Sequence, residues 1–272
     1  MEIMAREIAT DLVKIRDQKP LVHHITNFVV MNETANMTLC LGALPVMAHA
    51  REEVEEMVGF AGALVLNIGT LTPELIDSMI IAGKKANALG VPVVLDPVGA
   101  GATALRTDAV KSLLKELSIA VIRGNSAEIG ILAGAGGEIK GVEAIGINEH
   151  IVEAARSLAK SRGCVASVTG AEDIITDGER TAFVRNGDAM MATITGSGCM
   201  STTITAGFAA VQSDYFKAAT GALVAFGIAG EKAAASTQGK PGSFHAVLYD
   251  EVYALDSDAI IKGANFQIEL PA

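Results

Sequence analysis

The sequence predicts an α/β fold, a mostly parallel central sheet with helices packed on both faces. Three observations predict it. Short β-branched runs at residues 63–68, 91–95 and 119–122 alternate with helical patterns and recur about every 28 residues, the length of a βα unit that returns the chain parallel to its previous strand. These runs are apolar almost throughout, as strands covered on both faces must be. Hydrophobic residues make up 50% of the chain, yet aromatics only 4%, so small side chains dominate and helices can lie close to a sheet.

The elements follow in order. Residues 1–19 are charged and amphipathic and lack the apolar stretch of a secretory leader. The adjacent pair His23-His24 fits a strand whose side chains alternate between faces, and adjacent histidines lack metal-site spacing. Met31-Asn32-Glu33-Thr34-Ala35-Asn36 adds a polar cluster, and Pro45-Val46-Met47-Ala48 follows a helix rich in small residues. Met47 there reads as pocket lining or as core filler. Thr72 caps a helix over 73–89, with Pro73 in its first turn. Further helices are expected at 107–117, from Ser126 onward and at 149–160, with a fourth strand at 164–168. Segments 173–176, 181–184 and 189–194, with turn signals Asp177-Gly178 and Asn186-Gly187, predict an antiparallel edge. Two small-residue helices, 197–211 and 214–235, come next. No linker or low-complexity break interrupts the pattern, so residues 1–272 are expected to form a single domain.

A net charge of −10 argues against nucleic acid and acidic membranes as partners, since both need basic patches. No apolar run is long enough to cross a bilayer. Cys40, Cys164 and Cys199 are an odd set without metal-like spacing, and a reducing cytoplasm is the expected setting.

The chemistry concentrates at Thr195-Gly196-Ser197-Gly198-Cys199-Met200, which runs directly into a long apolar helix pattern. Small residues allow a tight turn, and the helix aims its unpaired N–H groups and positive end at that turn, an arrangement suited to phosphate. A packing turn with Cys199 as a small buried residue is the other reading. A lysine does not follow the last glycine, as a Walker loop requires, and no acid stands about 20 residues on, as a dinucleotide fingerprint requires. Ligands of parallel sheets gather beyond the strands' carboxyl ends. Those ends carry Gly69-Thr70, Asp96-Pro97-Val98-Gly99, Arg123-Gly124-Asn125-Ser126-Ala127-Glu128 and Thr169-Gly170. Asp96 suits Mg²⁺ as a hard oxygen ligand, or caps an Asp-Pro turn. Arg123 offers a fork of donors to nucleotide phosphate. Glu128 complements its helix dipole or joins Asp96 around a metal, and Thr169-Gly170 touches phosphate or ribose or is a plain turn.

Thr26-Asn27, Pro45-Val46-Met47, Leu66-Asn67-Ile68-Gly69-Thr70, Leu95-Asp96-Pro97-Val98-Gly99-Ala100-Gly101-Ala102, Arg123-Gly124-Asn125-Ser126-Ala127-Glu128, Val168-Thr169-Gly170, Thr195-Gly196-Ser197-Gly198-Cys199 and Pro241-Gly242-Ser243-Phe244 together resemble the hydroxyethylthiazole kinase family. The motifs run in the family's order over nearly the whole chain. The resemblance implies a ribokinase-like three-layer α/β/α sandwich and a homotrimer with sites between neighbouring subunits. It implies ATP- and Mg²⁺-dependent phosphorylation of a thiazole alcohol in thiamine biosynthesis and salvage. By motif, Arg123 and Thr169 would bind ATP, and Met47, Gly196 and Asn27 would contact the thiazole. Gly196, Ser197 and Gly198 would form the anion hole, and Asp96 and Glu128 would organise Mg²⁺. Cys199 takes the position where related sugar and pyrimidine kinases keep an aspartate base. A helix N-terminus can lower a thiol's pKa, but a loose phosphoryl-transfer transition state asks little of a base. Cys199 is therefore assigned as the alcohol-facing catalytic residue, with a base role left open. The chain carries Gly141-Val142-Glu143 where the family commonly has Gly-Val-Asp. A kinase for another heteroaromatic alcohol, or a sensor that has lost turnover, are the competing readings.

Overall fold

In the computed structural model, which describes residues 2–134 and 147–270, the strands are β1 Leu21–Ile25, β2 Leu44–Val46, β3 Ala63–Asn67, β4 Val93–Asp96, β5 Val121–Asn125, β6 Val165–Thr169, β7 Asp173–Thr176, β8 Thr181–Val184 and β9 Phe266–Glu269. They form one sheet in the order β2-β1-β3-β4-β5-β6-β7-β8-β9. Pairings from β2 through β6 are parallel, and those from β6 through β9 are antiparallel. Gly141-Val142-Glu143 lies outside the described residues.

Helices cover both faces, giving three layers. One face carries α3 Val54–Val58, α4 Pro73–Leu89, α5 Ala104–Glu116, α6 Ser126–Gly134 and α7 Ile147–Arg162, and the other α1 Glu2–Gln18, α2 Met31–Leu41, α8 Ser197–Ala209, α9 Tyr215–Thr237, α10 Pro241–Ala254 and α11 Ser257–Gly263. The period-two alternation of the strands sorts the core accordingly. Val65, Val94, Val121 and Val165 pack toward α8 and α9, while Leu66, Leu95, Ile122 and Val168 pack toward the opposite layer. Continuing that alternation sends Asn67, Asp96, Arg123 and Thr169, at or near the carboxyl ends of four neighbouring strands, toward α8. Register fixes their neighbourhood, with Asn67 beside Asp96 and Arg123 beside Ser167.

Two expectations are corrected. Residues 189–194 are not a strand. Ala189–Thr193 forms a 3-10 turn whose start is capped by the Asp188 carboxylate, which accepts from the Met190 N–H at 2.8 Å. The run is mostly alanine and methionine, which favour strands weakly, and the local cap decides. β9, from the far end of the chain, completes the antiparallel edge instead. Second, β5 extends through Asn125, so Arg123 is a strand residue facing α8 rather than part of the following loop.

The histidine pair sits on β1 with its side chains on opposite faces, as expected. His23 Nε2 lies 2.7 Å from the Ala48 carbonyl and His24 Nε2 lies 3.2 Å from Thr38 Oγ1. Burial holds His24 down to about 3, against an ordinary value near 6.5. A histidine kept neutral in the fold adds stability above its unfolded pKa, which is lost as pH falls from about 6.5 toward 3. Thermal melts should therefore lose a few kcal/mol of stability between pH 7 and pH 4. His24→Gln should flatten that slope, and an unchanged slope would remove His24 as its source.

Candidate active site

At the carboxyl edge of the sheet, α8 begins with Gly196 in the left-handed region at φ 83°. A Cβ there would meet Val30 Cγ1 at 2.8 Å, so both backbone and space call for glycine. With no side chain at the cap position, no oxygen of the turn takes the first amides of α8. By contrast, Thr72, Thr103, Asp214 and Asp256 cap α4, α5, α9 and α11. The N–H groups of the Gly196-Ser197-Gly198 turn are thus left for a ligand.

Arg123 lies over this turn. A Cβ on Gly198 would stand 2.7 Å from Arg123 Nη1 and 3.0 Å from Nη2, so the glycine makes room for the guanidinium. Arg123 also donates from Nη2 to Thr169 Oγ1, and its Nη1 stands 3.8 Å from Asp96 Oδ1. A fixed cation and a helix N-terminus converge on one spot, which favours an anion there.

Asp96 is fully buried. Burial pushes its carboxyl above the usual range, and the Arg123 guanidinium and the Thr202 hydroxyl pull it back. Its Oδ2 accepts from Asn67 Nδ2 at 2.8 Å and from Thr202 Oγ1 at 2.9 Å. Oδ1 is buried with no hydrogen-bond partner among the described residues. Glu128 holds the neighbouring loops. Its two carboxylate oxygens accept from the Gly99 N–H at 2.7 Å and the Asn125 N–H at 2.8 Å, while its own N–H donates to Asn125 Oδ1 at 2.9 Å. The latter pair is a reciprocal helix cap. Each Glu128 oxygen keeps a second lone pair, so capping and metal binding are compatible. Among the described residues no three or more His, Cys, Asp or Glu side chains group as a metal cage.

Cys199 faces the other side of the turn. Asn67 Nδ2 donates to its sulfur at 3.2 Å and Asn27 Nδ2 at 3.7 Å. Burial, and then the Asp96 charge, push the thiol up to about 12, outweighing those donors and the Arg123 guanidinium. Of the states the sequence left open for Cys199, these surroundings favour the neutral thiol.

On the Arg123 side opens a cleft of about 510 Å³, lined by Arg123, Thr169, Asp173, Asn186, Ser197 and Gly198 among others, with Leu223 and Phe226 on its wall. Burial pushes the Asp173 carboxyl up to about 6 although the Gly170 N–H donates to it at 2.9 Å. The structure thus brings Arg123, Thr169, Asp96 and the Gly196–Gly198 turn together, with Asn27 and Cys199 adjoining. Met47, just beyond β2, does not line this cleft.

Several site residues had drawn no role from sequence. Thr202 stands one helical turn after Gly198, a spacing that could have revealed it. Arg106 donates to the carbonyls of Ile68, Gly69 and Val98 at 3.2, 2.8 and 2.7 Å, tying two strand-end loops together. Glu231 accepts from Asn186 Nδ2 and the Gly187 N–H, both at 3.0 Å, and so holds a rim of the cleft. These two carry no local sequence signal.

A parallel sheet ending in an uncapped glycine turn, an arginine laid over it and a buried carboxylate beside it define a phosphotransferase of the ribokinase-like class. Comparison with known proteins gives the family. The family model described as hydroxyethylthiazole kinase family matches residues 12–258. A hydroxyethylthiazole kinase of Thermoanaerobacter sp. (strain X514) is 58% identical over 95% of this chain and 99% of its own. One from Methanocella arvoryzae is 51% identical over 94% and 96%. The solved hydroxyethylthiazole kinase protein of Pyrococcus horikoshii OT3 is 44% identical, with a TM-score of 0.90 over 97% of this chain and 99% of that one. A Staphylococcus aureus pyridoxal kinase in complex with ADP, 17% identical with a TM-score of 0.57 over 77% of this chain and 87% of its own, shares the fold. The chain belongs to the hydroxyethylthiazole kinase family.

Proposed function

We propose that this chain, acting as one domain over residues 1–272, transfers the γ-phosphoryl group of ATP to the primary alcohol of 4-methyl-5-(2-hydroxyethyl)thiazole, releasing ADP, in thiamine biosynthesis and salvage. The observation that carries the reading is the open-ended α8 with Arg123 packed on Gly198, flanked by the nucleotide-sized cleft and by Cys199 with Asn27. ATP lies in the cleft, held by Arg123 and Thr169. The amides of Gly196, Ser197 and Gly198 receive the charge of the travelling group. The thiazole lies on the Cys199 side, against Gly196, Asn27 and Met47. Cys199 presents a neutral thiol to the alcohol and aligns it, which suffices where the transition state is loose.

Asp96 and Glu128 would hold Mg²⁺. The partnerless buried Asp96 Oδ1 and the spare lone pairs of Glu128 are hard oxygen donors, and Mg²⁺ needs only one or two carboxylates when phosphates complete its shell. When bound, it supplies charge neutralisation of the phosphates. The assembly is a homotrimer with sites between neighbours, and the setting is the cytoplasm. No described helix is long and apolar enough to cross a membrane.

A coupled assay of ADP release tests this. Release should require the thiazole alcohol, and kcat/KM should exceed that for pyridoxal or hydroxymethylpyrimidine by at least about 100-fold. Equal turnover on another alcohol would replace the substrate, and thiazole binding without ADP release would support the sensor reading.

A further inference from the structure

Asn67 is the most connected polar side chain of the site, although the motif it belongs to gives it no role. It is 1% exposed and its amide is fully engaged. Nδ2 donates to Asp96 Oδ2 at 2.8 Å and to Cys199 Sγ at 3.2 Å. Oδ1 accepts from Asn27 Nδ2 at 2.8 Å and from the Gly69 N–H at 2.9 Å. A backbone N–H only donates, so the amide oxygen must face Gly69 and the nitrogen must face Asp96 and Cys199. Rotating the amide by half a turn would lose the bonds to Gly69 and Asp96, whose partners have a single polarity. Asp96 Oδ2 and the Cys199 sulfur are therefore both acceptors toward Asn67.

Thr202 Oγ1, from α8, donates to the same Asp96 oxygen. One carboxylate oxygen takes two donors from two different elements, and the other takes none among the described residues. A carboxylate beside a guanidinium ordinarily closes on it through two short parallel bonds. Here the Arg123–Asp96 approach stays at 3.8 Å through a single oxygen. The two donors on Oδ2 hold the carboxylate off its natural partner.

We infer that Asn67 is a positioning residue for the reaction. Together with Thr202 it fixes the rotation of the Asp96 carboxylate so that Oδ1 stays open to the reacting groups, and it sets Cys199 and Asn27 in the same hydrogen-bonded frame. The inference rests on the phosphotransfer reading above. Without Asn67 the Asp96 carboxylate turns onto Arg123, and both groups leave their working positions while the fold survives.

The test uses the full chain with Asn67→Ala, the similarly shaped Asn67→Leu, Thr202→Val and the double Asn67→Ala/Thr202→Val. Asn67→Leu keeps the branched outline of the side chain but removes the donor toward Asp96, which serves if the alanine variant folds poorly. Each single variant should lower kcat by about 10- to 100-fold with KM for ATP within about threefold, as misplacement of a reacting group does. The double variant should fall no more than about threefold below the worse single one, because both act on one oxygen. A crystal structure of Asn67→Ala should show Asp96 paired to Arg123 through both oxygens. Three results would each overturn the assignment: kcat within threefold of wild type in folded Asn67→Leu, single effects that multiply independently, or a loss confined to KM for ATP. The wild-type chain is assayed alongside. Its inactivity would count against the kinase reading, whereas an active wild type with unaffected variants would count against Asn67 alone, and the crystallographic result stands in either case.

Discussion

Asp96→Asn is expected to lower kcat by about 10³-fold while moving the melting temperature by only a few degrees. The substitution keeps size and shape and removes a charge from the centre of the site. Burial already disfavours that charge, holding the carboxyl above its ordinary range, so a folded chain without it is relieved of a desolvation cost. The sign follows from linkage. A carboxylate raised in the fold subtracts from stability once pH exceeds its unfolded value near 3.9, so at neutral pH the neutral amide gains on this count. Against that gain, Arg123 loses the carboxylate 3.8 Å away, although it keeps Thr169 and the Asp173 side of the cleft. The opposing effects leave stability nearly level, whereas catalysis loses the oxygen that no protein group occupies. Steady-state kinetics beside a thermal melt decide it. Full activity in a folded Asp96→Asn or Asp96→Ala chain would remove Asp96 from the chemistry and from any metal role.

The second large effect belongs to Arg123. Arg123→Ala should reduce kcat/KM for ATP by about 10³-fold, and Arg123→Lys should restore no more than about tenfold of it. The guanidinium faces three directions at once: Thr169 through Nη2, Asp96 through Nη1, and the start of α8 through its contact with Gly198. A lysine offers one compact charge and cannot span these groups. The alanine variant also leaves Asp96 buried without a cation, so some loss of stability accompanies the loss of activity. Substantial rescue by lysine would mean that bulk charge alone serves, and would detach the fork geometry from phosphate handling.

Much of this architecture is legible in the sequence because local rules agree there. The βα spacing and the apolar strands lead to a parallel sheet, and the Thr72-Pro73 start defines α4 as observed. Strand-end residues could be collected on one edge because parallel strands end together. The misread 189–194 segment shows the limit, since a short alternating run is decided by one aspartate cap, and the strand that takes its place lies more than 70 residues downstream. Asn67 was visible inside a motif, but its four partners come from separate segments of the chain. Arg106 and Glu231 act on backbone of distant loops, which leaves no pattern near them.

The sequence by itself determined the α/β layering, the glycine turn that opens α8 and the set of polar strand ends, because period-two alternation and backbone freedom are properties of neighbouring residues. Only the tertiary structure decided the state of that set. Burial beside Asp96 makes Cys199 a neutral thiol, and Asn67 with Thr202 leaves one Asp96 oxygen open. Solvation and hydrogen-bond partners come from residues far apart in the chain, so ionisation and orientation are settled when the layers close.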